Sequence, residues 1–372
     1  MRVLITGAEG FIGKNLSLFL SQQEDMEVIY FTRDDSVNDL PSKLVDADFI
    51  FHLAGVNRPD DTAEFKTGNT DFTQALCDAV TSASRKIPIV FSSSIHAELD
   101  NPYGQSKLAA EKALTEFGER YNNPVYIYRL PNVFGKWAKA NYNSAVASFC
   151  HNIARGLPIQ INDPNAVINL VYIDDVLKCF MSLLNHQNEG ISYPEIEPIY
   201  KITVGELADQ LYNFKASRDS LITENVGTGL VRALYSTYVS YLPSNEFSYA
   251  VPAYGDARGV FVEMLKTKDA GQFSFLSAMP GVTRGGHFHH SKVEKFLVIK
   301  GKARFTFKHM SSGEYHELFT TGESPEIVET VPGWTHDITN IGDEELICML
   351  WANEIFDREN PDTYACPVIK PV

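Results

Sequence analysis

The sequence is poor in cysteine and lacks any close cysteine pair. Its five cysteines are scattered from Cys77 to Cys366, and no Cys-x-x-Cys spacing occurs among them. Disulfide frameworks need even numbers of cysteines at compatible positions, in an oxidising compartment. The odd, dispersed set therefore predicts free thiols, and we expect a cytoplasmic protein.

Positive charge and long apolar runs are also scarce. The chain has 32 Lys and Arg against 47 Asp and Glu, which gives a net charge of −15. A field of that sign repels nucleic acid and anionic membranes, so we expect neither as a partner. An anionic ligand would need local donors. No apolar run reaches membrane-spanning length, and the first residues have the pattern of a β-strand rather than a signal peptide.

The length of 372 residues predicts two hydrophobic cores rather than one. In residues 1–245, short apolar runs alternate with amphipathic segments. We expect strands at 2–6, 28–32, 49–54, 88–92 and 125–129, with helices at 11–22, 62–84, 103–121, 173–184 and 204–214. Continuous apolar strands separated by helices are typical of a doubly wound, Rossmann-like parallel sheet. Residues 215–250 show little periodicity and are interpreted as a connection.

Residues 246–372 have a different pattern. Short β-rich runs are broken by Gly, Pro and Asp turns every few residues, and no long helical pattern remains. This spacing predicts a small antiparallel barrel or jelly roll. The expected fold class is therefore α/β plus all-β.

A glycine-rich turn follows the first predicted strand and opens the first predicted helix. It consists of Gly7, Gly10, Phe11, Ile12 and Gly13. Glycines at these positions let the backbone turn tightly and approach a pyrophosphate, which rests on the helix N-terminus. The alternative interpretation is an ordinary glycine-rich turn.

Tyr103 and Lys107 are four residues apart and therefore share one face of a helix. Ser93 and Ser94 end the preceding strand and bring a hydroxyl to the same crevice. We expect the Lys107 ammonium to lower the pKa of Tyr103. Tyr103 would then protonate a carbonyl oxygen while a nicotinamide supplies hydride and a serine steadies the oxyanion.

Together with these motifs, three further segments resemble the extended short-chain dehydrogenase/reductase family over residues 1–240. They are His52-Leu53-Ala54-Gly55, Arg129–Gly135 and Val171–Val176. The resemblance implies Tyr103 as proton donor, Lys107 as its partner and Ser94 as the serine, with Ser93 as the alternative. It also implies that Leu53, Ala54 and Gly55 border the cofactor and that Asn132 borders nicotinamide and substrate.

The end of the second strand bears on the choice of cofactor. NAD-specific members of the family usually have an acidic residue there, bonded to the ribose. This chain has Thr32-Arg33, and an arginine suits a 2′-phosphate. The sequence predicts NADPH, while Asp34 next door leaves NAD open and a solvated surface arginine is the alternative for Arg33.

Histidines at metal-ligand spacing stand in the C-terminal half. His287 and His289 are two apart and point to one face of a strand, Glu294 can return on the neighbouring strand, and His336 comes from a more distant one. Three imidazoles and a carboxylate suit zinc or another divalent first-row metal. The alternative is a set of exposed histidines on a barrel rim.

The spacing from Gly281 to Gly301 resembles the cupin superfamily. Asp256–Phe261 and Gly281–His287 further resemble the sugar-nucleotide 3,5-epimerases within it. In those enzymes the matching histidine is a general base and needs no metal, so His287 has two possible roles. We favour a ligand because three other donors accompany it. The remaining candidates are His290, Tyr315 and His316 as bases, and Arg284 and Arg218 as phosphate or substrate contacts.

Over its full length the chain resembles the bifunctional enzymes of capsular-polysaccharide synthesis, in which a reductase is joined to a zinc cupin. Segments that carry this resemblance include Ala54–Pro59, Asn101–Gly104 and Tyr235–Tyr238. It implies C3 epimerisation of a UDP-2-acetamido-2,6-dideoxy-4-ketohexose and then NADPH-dependent reduction at C4. The implied product is UDP-2-acetamido-2,6-dideoxy-L-talose, a precursor of N-acetyl-L-fucosamine. A homodimer is expected by analogy.

The order of the two steps follows from their chemistry. A ketone makes the adjacent C–H acidic, a metal on its oxygen would stabilise the enolate, and reduction destroys the ketone. Epimerisation must therefore come first. Two alternatives stay open: a reductase whose cupin is only a structural, dimerising module, and an NADPH-sensing regulator without catalysis.

Overall fold

The computed structural model describes residues 1–185, 189–324, 326–359 and 361–369. Contacts divide the chain into two units. The first comprises Met1–Leu211 and Thr228–Pro243, and the second comprises Tyr212–Gly227 and Ser244–Val372. The predicted boundary after residue 245 stays a prediction.

The first unit contains two sheets. Its strands are β1 (Arg2–Thr6), β2 (Glu27–Phe31), β3 (Phe49–His52), β4 (Ile89–Ser94), β5 (Val125–Leu130), β6 (Asn132–Phe134), β7 (Val167–Tyr172), β8 (Ile191–Ser192) and β9 (Tyr200–Thr203). Six strands form a parallel sheet in the order β2-β1-β3-β4-β5-β8, and β6, β7 and β9 form a small mixed sheet. A doubly wound parallel sheet is therefore confirmed.

Helices flank this sheet. They are α1 (Phe11–Ser21), α2 (Leu40–Leu44), α3 (Ala63–Phe65), α4 (Phe72–Ser82), α5 (Pro102–Tyr121), α6 (Ala145–Ala154), α7 (Ile173–Asn185), α8 (Val204–Ser220) and α9 (Gly229–Ser240). Apolar residues of the strands, such as Ile50 and Ile127, pack against Leu76 of α4 and Leu114 of α5 in one core cluster. Burial of strand side chains beneath helices explains why the strands read as continuous apolar runs.

Two expectations for this region are wrong. The helix expected at 62–84 is interrupted by a π-helical stretch, Lys66–Asp71, between α3 and α4. The segment interpreted as a connection contains α9, in which Ala233, Leu234 and Tyr238 are buried. These apolar positions do have helical spacing, but a Tyr- and Ser-rich sequence around them hides it.

The second unit contains two sheets that enclose its core. Its strands are β10 (Ile222–Thr223), β11 (Ala253–Asp256), β12 (Gly259–Thr267), β13 (Gly271–Ala278), β14 (Thr283–Phe288), β15 (Glu294–Lys300), β16 (Lys302–His309), β17 (Tyr315–Thr321), β18 (Ile327–Glu329), β19 (Trp334–Asn340), β20 (Leu346–Ala352) and β21 (Tyr364–Ala365). One sheet has the order β10-β12-β13-β20-β15-β18 with β11 on β12, and the other has the order β17-β16-β19-β14-β21.

Side chains from both sheets share one core cluster. Leu276 and Phe296 come from the first of these sheets, and Phe305 and Ile338 come from the second. Two antiparallel sheets around a common core are the arrangement expected of a jelly roll, so the predicted class is confirmed. The exception is β10, which pairs with β12 in parallel.

Among the helices that the structure describes, none is long and apolar enough to cross a lipid bilayer.

Candidate active sites

The glycine-rich turn between β1 and α1 leaves no space for side chains. Gly7 has φ +74°, and a Cβ there would lie 2.6 Å from the backbone nitrogen of Ala54. A Cβ on Gly13 would lie 2.2 Å from the carbonyl oxygen of Gly7. Gly10 is the N-cap of α1 and offers no side-chain acceptor to the amides of the first turn, which Phe11 and Ile12 begin. Uncapped amides at a helix N-terminus suit a pyrophosphate.

The segment Leu53–Gly55 lies directly opposite this turn. The amides of Leu53 and Ala54 donate to the carbonyl and hydroxyl oxygens of Thr6, at 3.1 and 3.2 Å. A Cβ on Gly55 would come within 3.1 Å of the Lys107 ammonium nitrogen. The absence of a side chain at residue 55 therefore leaves room for the Lys107 ammonium beside the segment Leu53–Gly55.

Tyr103, Lys107 and Ser94 meet where β4 ends and α5 begins. Lys107 is 4% exposed, and its ammonium donates to the carbonyl oxygen of Ser92 at 3.0 Å. Burial lowers the pKa of Lys107 to about 8, although Glu111 opposes that shift. Burial raises the pKa of Tyr103, and its hydrogen bond with Ser94 opposes this rise. The pKa of Tyr103 is therefore raised, not lowered as expected, because burial outweighs its hydrogen bond with Ser94.

Ser93, the alternative serine, is committed elsewhere. Its hydroxyl donates to Glu111, which is 2% exposed. The same carboxylate accepts three hydrogen bonds from Arg129, at 2.7 to 3.2 Å. A side chain satisfied inside this network is not available to a substrate, which favours Ser94.

After the end of β2, the carboxylate of Asp35 is held by neighbouring groups, whereas Asp34 is exposed. Asp35 accepts from the amide of Thr32 at 2.7 Å and pairs with Lys43 at 2.9 Å, and the Lys43 hydrogen bond lowers its pKa. Arg33 is exposed, and no ion-pair partner for it is present within the described ranges. Asn132 is exposed on β6, where its amide donates to the carbonyl of Asn169 at 3.1 Å.

The four predicted metal ligands come together in the second unit. Their ligand atoms all lie within 4.8 Å of one another. The register of β14 on β19 places His287 beside His336, while Glu294 begins β15 in the opposite sheet. The Oε2 atom of Glu294 lies 3.3 Å from His289 Nε2 and 3.6 Å from His336 Nε2.

Burial and charge suit these groups to a cation. His289, His336 and Glu294 are 1%, 4% and 5% exposed, so the alternative of exposed rim histidines is wrong. Burial, aided by His336, lowers the pKa of His287 to about 4. Burial alone would raise the pKa of Glu294, but His289, His336 and Lys292 hold it well below its usual value. A neutral imidazole and an ionised carboxylate are the states that bind metal.

One buried atom tests whether a metal fits here. His336 Nε2 is fully buried and has no hydrogen-bond partner among the described residues, with Glu294 Oε2 3.6 Å away. An unsatisfied buried nitrogen is costly, and a divalent ion among the four ligand atoms would satisfy it. The three nitrogens and one oxygen are a donor set typical of zinc. The residues therefore fit the group.

A cavity of about 290 Å³ adjoins the ligands between the two sheets. Its lining is largely apolar, with charged side chains from Glu263, Arg284, Lys292 and Glu354 among it. Arg284 also donates to the carbonyl of Ser277 at 3.0 Å.

The predicted base candidates do not line this cavity. His290 is exposed and packs on Tyr364, Tyr315 bonds to Glu317, and His316 is exposed. Arg218 stacks on Tyr249 at 4.3 Å and is likewise absent from the lining.

Two side chains near the ligands were missed from the sequence. Lys292 is 7% exposed, and its ammonium lies 3.0 Å from Glu294 Oε1. Its place in the sequence between the two predicted ligands His289 and Glu294 could have indicated that it lies near the metal site. Asp362 contacts the same turn from a distant part of the chain, and no spacing could have indicated it.

Comparison with known proteins agrees with both halves of this description. Residues 3–197 match the NAD dependent epimerase/dehydratase family, which is more than half of the chain. The chain belongs to the NAD-dependent epimerase/dehydratase family. Membership implies a nicotinamide cofactor for this epimerase/dehydratase domain. Residues 254–364 match the polysaccharide biosynthesis C-terminal domain.

Two relatives match the chain over almost the full length of both proteins. The chain is 61% identical to the UDP-2-acetamido-2,6-β-L-arabino-hexul-4-ose reductase of Pseudomonas aeruginosa, over 99% of both proteins. A crystal structure of the capsular polysaccharide assembling protein CapF from Staphylococcus aureus matches with a TM-score of 0.92 and 44% identity. It covers 99% of this chain and 100% of that one. The predicted resemblance to two-domain capsular-polysaccharide enzymes is confirmed.

A third relative matches about half of the chain. The GDP-6-deoxy-D-mannose reductase of Pseudomonas aeruginosa is 28% identical over 52% of this chain and 73% of its own length.

Proposed function

We propose that the chain converts a UDP-2-acetamido-2,6-dideoxy-4-ketohexose in two steps. The second unit epimerises C3, and the first unit reduces the C4 ketone with NADPH. The product would be UDP-2-acetamido-2,6-dideoxy-L-talose, which leads to N-acetyl-L-fucosamine for capsule. The observation that carries this proposal is the 61% identity, over the full length, to a reductase named for a 4-keto UDP-sugar.

In the reduction, Tyr103 protonates the C4 oxygen while the bound NADPH supplies hydride to C4. The phenol carries the proton that this step needs at neutral pH, although burial raises the pKa of Tyr103 and so makes it a weaker acid. The hydroxyl of Ser94 bonds to the phenol and can also reach the developing oxyanion. Lys107 places a buried cation beside Gly55, in the segment Leu53–Gly55 that is expected to border the cofactor. Asn132 is proposed to border nicotinamide and substrate.

The choice of NADPH is supported by the charges at the end of β2. Arg33 is exposed there and can meet a 2′-phosphate, whereas the Asp35 carboxylate is held by Lys43 and Thr32. Asp34, next to Arg33, is also exposed, and a carboxylate in that place favours the ribose hydroxyl of NAD, which is the alternative.

In the epimerisation, His287, His289, Glu294 and His336 would hold a zinc ion. Bound there, zinc would supply Lewis-acid stabilisation of the enolate that forms when a base removes the proton from C3. A carboxylate of the cavity lining (Glu263, Asp337 or Glu354) would take this proton, and reprotonation of C3 on the opposite face would complete the inversion. The adjoining cavity has a largely apolar lining, in which Lys292 and Arg284 are the positive groups and Glu263, Asp337 and Glu354 are carboxylates. This role makes His287 a ligand rather than a base.

A second candidate keeps the reduction but makes the cupin a structural module. It is favoured by one observation: the Pseudomonas aeruginosa relative is named as a reductase and not as an epimerase. The two candidates differ in whether the C3 proton exchanges with solvent.

Solvent exchange tests the proposal. The purified protein is incubated with the 4-keto UDP-sugar in deuterated water, without NADPH, and C3 is followed by NMR and mass spectrometry. We expect deuterium at C3 before any reduction, and a deuterated product once NADPH is added. Reduction without deuterium at C3 would leave the reductase-only candidate.

Two variants serve as matched controls in that experiment. Tyr103→Phe should lower the reduction rate by about 10²–10⁴-fold, as expected for loss of a general acid. It should leave C3 exchange intact. His336→Ala should abolish exchange. A regulator without catalysis predicts no turnover in the unaltered protein.

We also propose a homodimer, by analogy with other proteins that contain these two domain types. Analytical ultracentrifugation of the full chain would give the mass of one protomer if this is incorrect.

A further inference from the structure

The carboxylate of Asp362 binds the turn that carries two of the metal ligands. It accepts hydrogen bonds from the backbone amides of His290, Ser291 and Lys292, at 2.8, 2.7 and 2.9 Å. The hydroxyl of Ser291 donates to it at 3.0 Å. These residues link His289 to Glu294, so one carboxylate fixes the chain between two ligands.

The backbone of Asp362 also contacts a ligand directly. Its carbonyl oxygen lies within hydrogen-bond distance of His289 Nδ1. A carbonyl only accepts, so His289 Nδ1 carries a proton, and the neutral form of His289 then has its lone pair at Nε2. That Nε2 is the atom that lies 3.3 Å from Glu294 Oε2, within the ligand cluster. The contact therefore selects the tautomer that a metal needs.

The same turn controls the other ligand through Lys292. The amide of Lys292 is held by Asp362, and its ammonium lies 3.0 Å from Glu294 Oε1. The other carboxylate oxygen, Oε2, faces His289 and His336. Lys292 thus binds one oxygen of Glu294 and leaves the second for a metal.

The backbone around Asp362 has its own attachment. In β21, Tyr364 and Ala365 pair with Phe288 and His287 of β14, and the amide of Cys366 donates to the carbonyl of Gly286 at 2.7 Å. Removing the Asp362 carboxylate therefore leaves this strand pairing in place.

We propose that Asp362 is a positioning residue of the metal centre. Its carbonyl orients His289, and its carboxylate holds the 290–292 turn so that Glu294 presents one free oxygen. This inference rests on the proposed metal-dependent function of the second unit. It assigns a role in that centre to a residue seventy-three positions away from His289.

Metal affinity of the full chain tests the inference. Zn²⁺ binding is measured by competition with a chromophoric chelator, and Co²⁺ binding by its visible spectrum, for the unaltered protein, Asp362→Ala and Asp362→Asn. We expect Asp362→Ala to bind Zn²⁺ about 10–100-fold more weakly, the range for loss of groups that orient metal ligands. Its Co²⁺ spectrum should change as well. Asp362→Asn keeps one acceptor oxygen and should lose less affinity.

Asp357→Asn is the matched control, because Asp357 belongs to the same C-terminal segment but, within the described part of the chain, bonds to the amide of Glu359, at 2.9 Å, and not to the 290–292 turn. It should bind both metals normally. Circular dichroism and thermal unfolding without metal show whether each variant folds. Unchanged Zn²⁺ affinity and Co²⁺ spectrum in Asp362→Ala would overturn the positioning role alone. Failure of the unaltered protein to bind Zn²⁺ would overturn the metal centre, and the positioning role with it.

Discussion

At the scale of single residues, His52 shows how the first unit uses a buried polar side chain. It is 1% exposed, and its two ring nitrogens contact the hydroxyls of Thr6 and Thr73, each at 2.8 Å. Thr6 also accepts from the amide of Ala54. The imidazole therefore links β1, β3 and α4 at the residue that directly precedes the segment Leu53–Gly55. Burial, aided by Lys107, lowers its pKa to about 3.

This lowered pKa predicts a stability change with pH. His52 stays neutral in the folded state but takes up a proton on unfolding below its unfolded pKa. Stability is thus fully present above about pH 6.5 and falls as the pH drops toward about 3. Between pH 7.5 and 5, this one group should cost about 2 kcal/mol of unfolding free energy. Urea unfolding of the first unit at both pH values measures it.

His52→Gln, which cannot titrate, is the variant for that measurement. It should remove this part of the pH dependence, and a matched change at the exposed His96 should not. An unaltered pH dependence in His52→Gln would show that other groups cause the acid sensitivity.

Arg33 gives a second prediction at this scale. Arg33→Ala should raise the KM for NADPH at least about tenfold, since a hydrogen bond to a charged group contributes about 1.5–3 kcal/mol. Its kcat/KM with NADH should not change. Arg85→Ala is the control, because Arg85 pairs with Asp48, away from the carboxyl end of β2. An equal fall in kcat/KM with NADPH and with NADH would contradict a contact between Arg33 and the 2′-phosphate.

At the scale of elements, the sequence predicts the strands and helices with strong patterns and misses those without them. Helix α5 is predicted almost to its ends, because Asn101 caps the amide of Gly104, Pro102 follows, and Asn122 ends the helix at φ +47°. These are local signals.

The π-helical stretch within residues 66–71 has no such signal, because its cause is a tertiary contact. It contains Asn69, which bonds to both backbone groups of Val56 at 2.8 and 3.1 Å and to the hydroxyl of Ser106 at 2.9 Å. The distortion thus coincides with the residue that fixes the chain after Gly55. Such distortions are frequent at functional sites.

The cap of α5 can be tested against a cap elsewhere. Asn101→Ala should lower the unfolding free energy by about 1 kcal/mol. It should also lower the rate of reduction, because Tyr103 and Lys107 lie in the first two turns of α5. Ser144→Ala removes the matching cap of α6, where Ser144 accepts from the amide of Ala147 at 3.2 Å. It should lower stability similarly without changing kcat. Equal kinetics in both variants would contradict a positioning effect of the α5 cap.

At the scale of the whole molecule, the metal ligands connect the two sheets of the second unit. His287 and His336 lie on β14 and β19 of one sheet, and Glu294 lies on β15 of the other. The sequence could predict this ligand set because histidine pairs and strand periodicity are local patterns. It could not predict Asp362 or the cavity lining, which depend on strands brought together from distant parts of the chain.

Chelation tests the consequence for stability. An ion that binds only the folded second unit stabilises it by about 2.7 kcal/mol at a hundred times its Kd. In calorimetry, chelation should lower the midpoint temperature at which the second unit unfolds and leave that of the first unit unchanged. Added Zn²⁺ should restore the midpoint of the second unit. Loss of C3 exchange should follow the same titration. Exchange that persists without metal would contradict metal-assisted epimerisation.

The order in which the chain visits its two units has a practical consequence. It enters the second unit at Tyr212, returns at Thr228 and leaves again at Ser244. No single backbone cleavage can separate the two units intact. Wherever the chain is cut, one fragment retains residues that belong to the other unit. To express the second unit alone, residues 212–227 would have to be joined to the segment that begins at Ser244, and in the first unit they would have to be replaced by a linker. An end-to-end fusion of two ancestral genes would not by itself produce such interleaving.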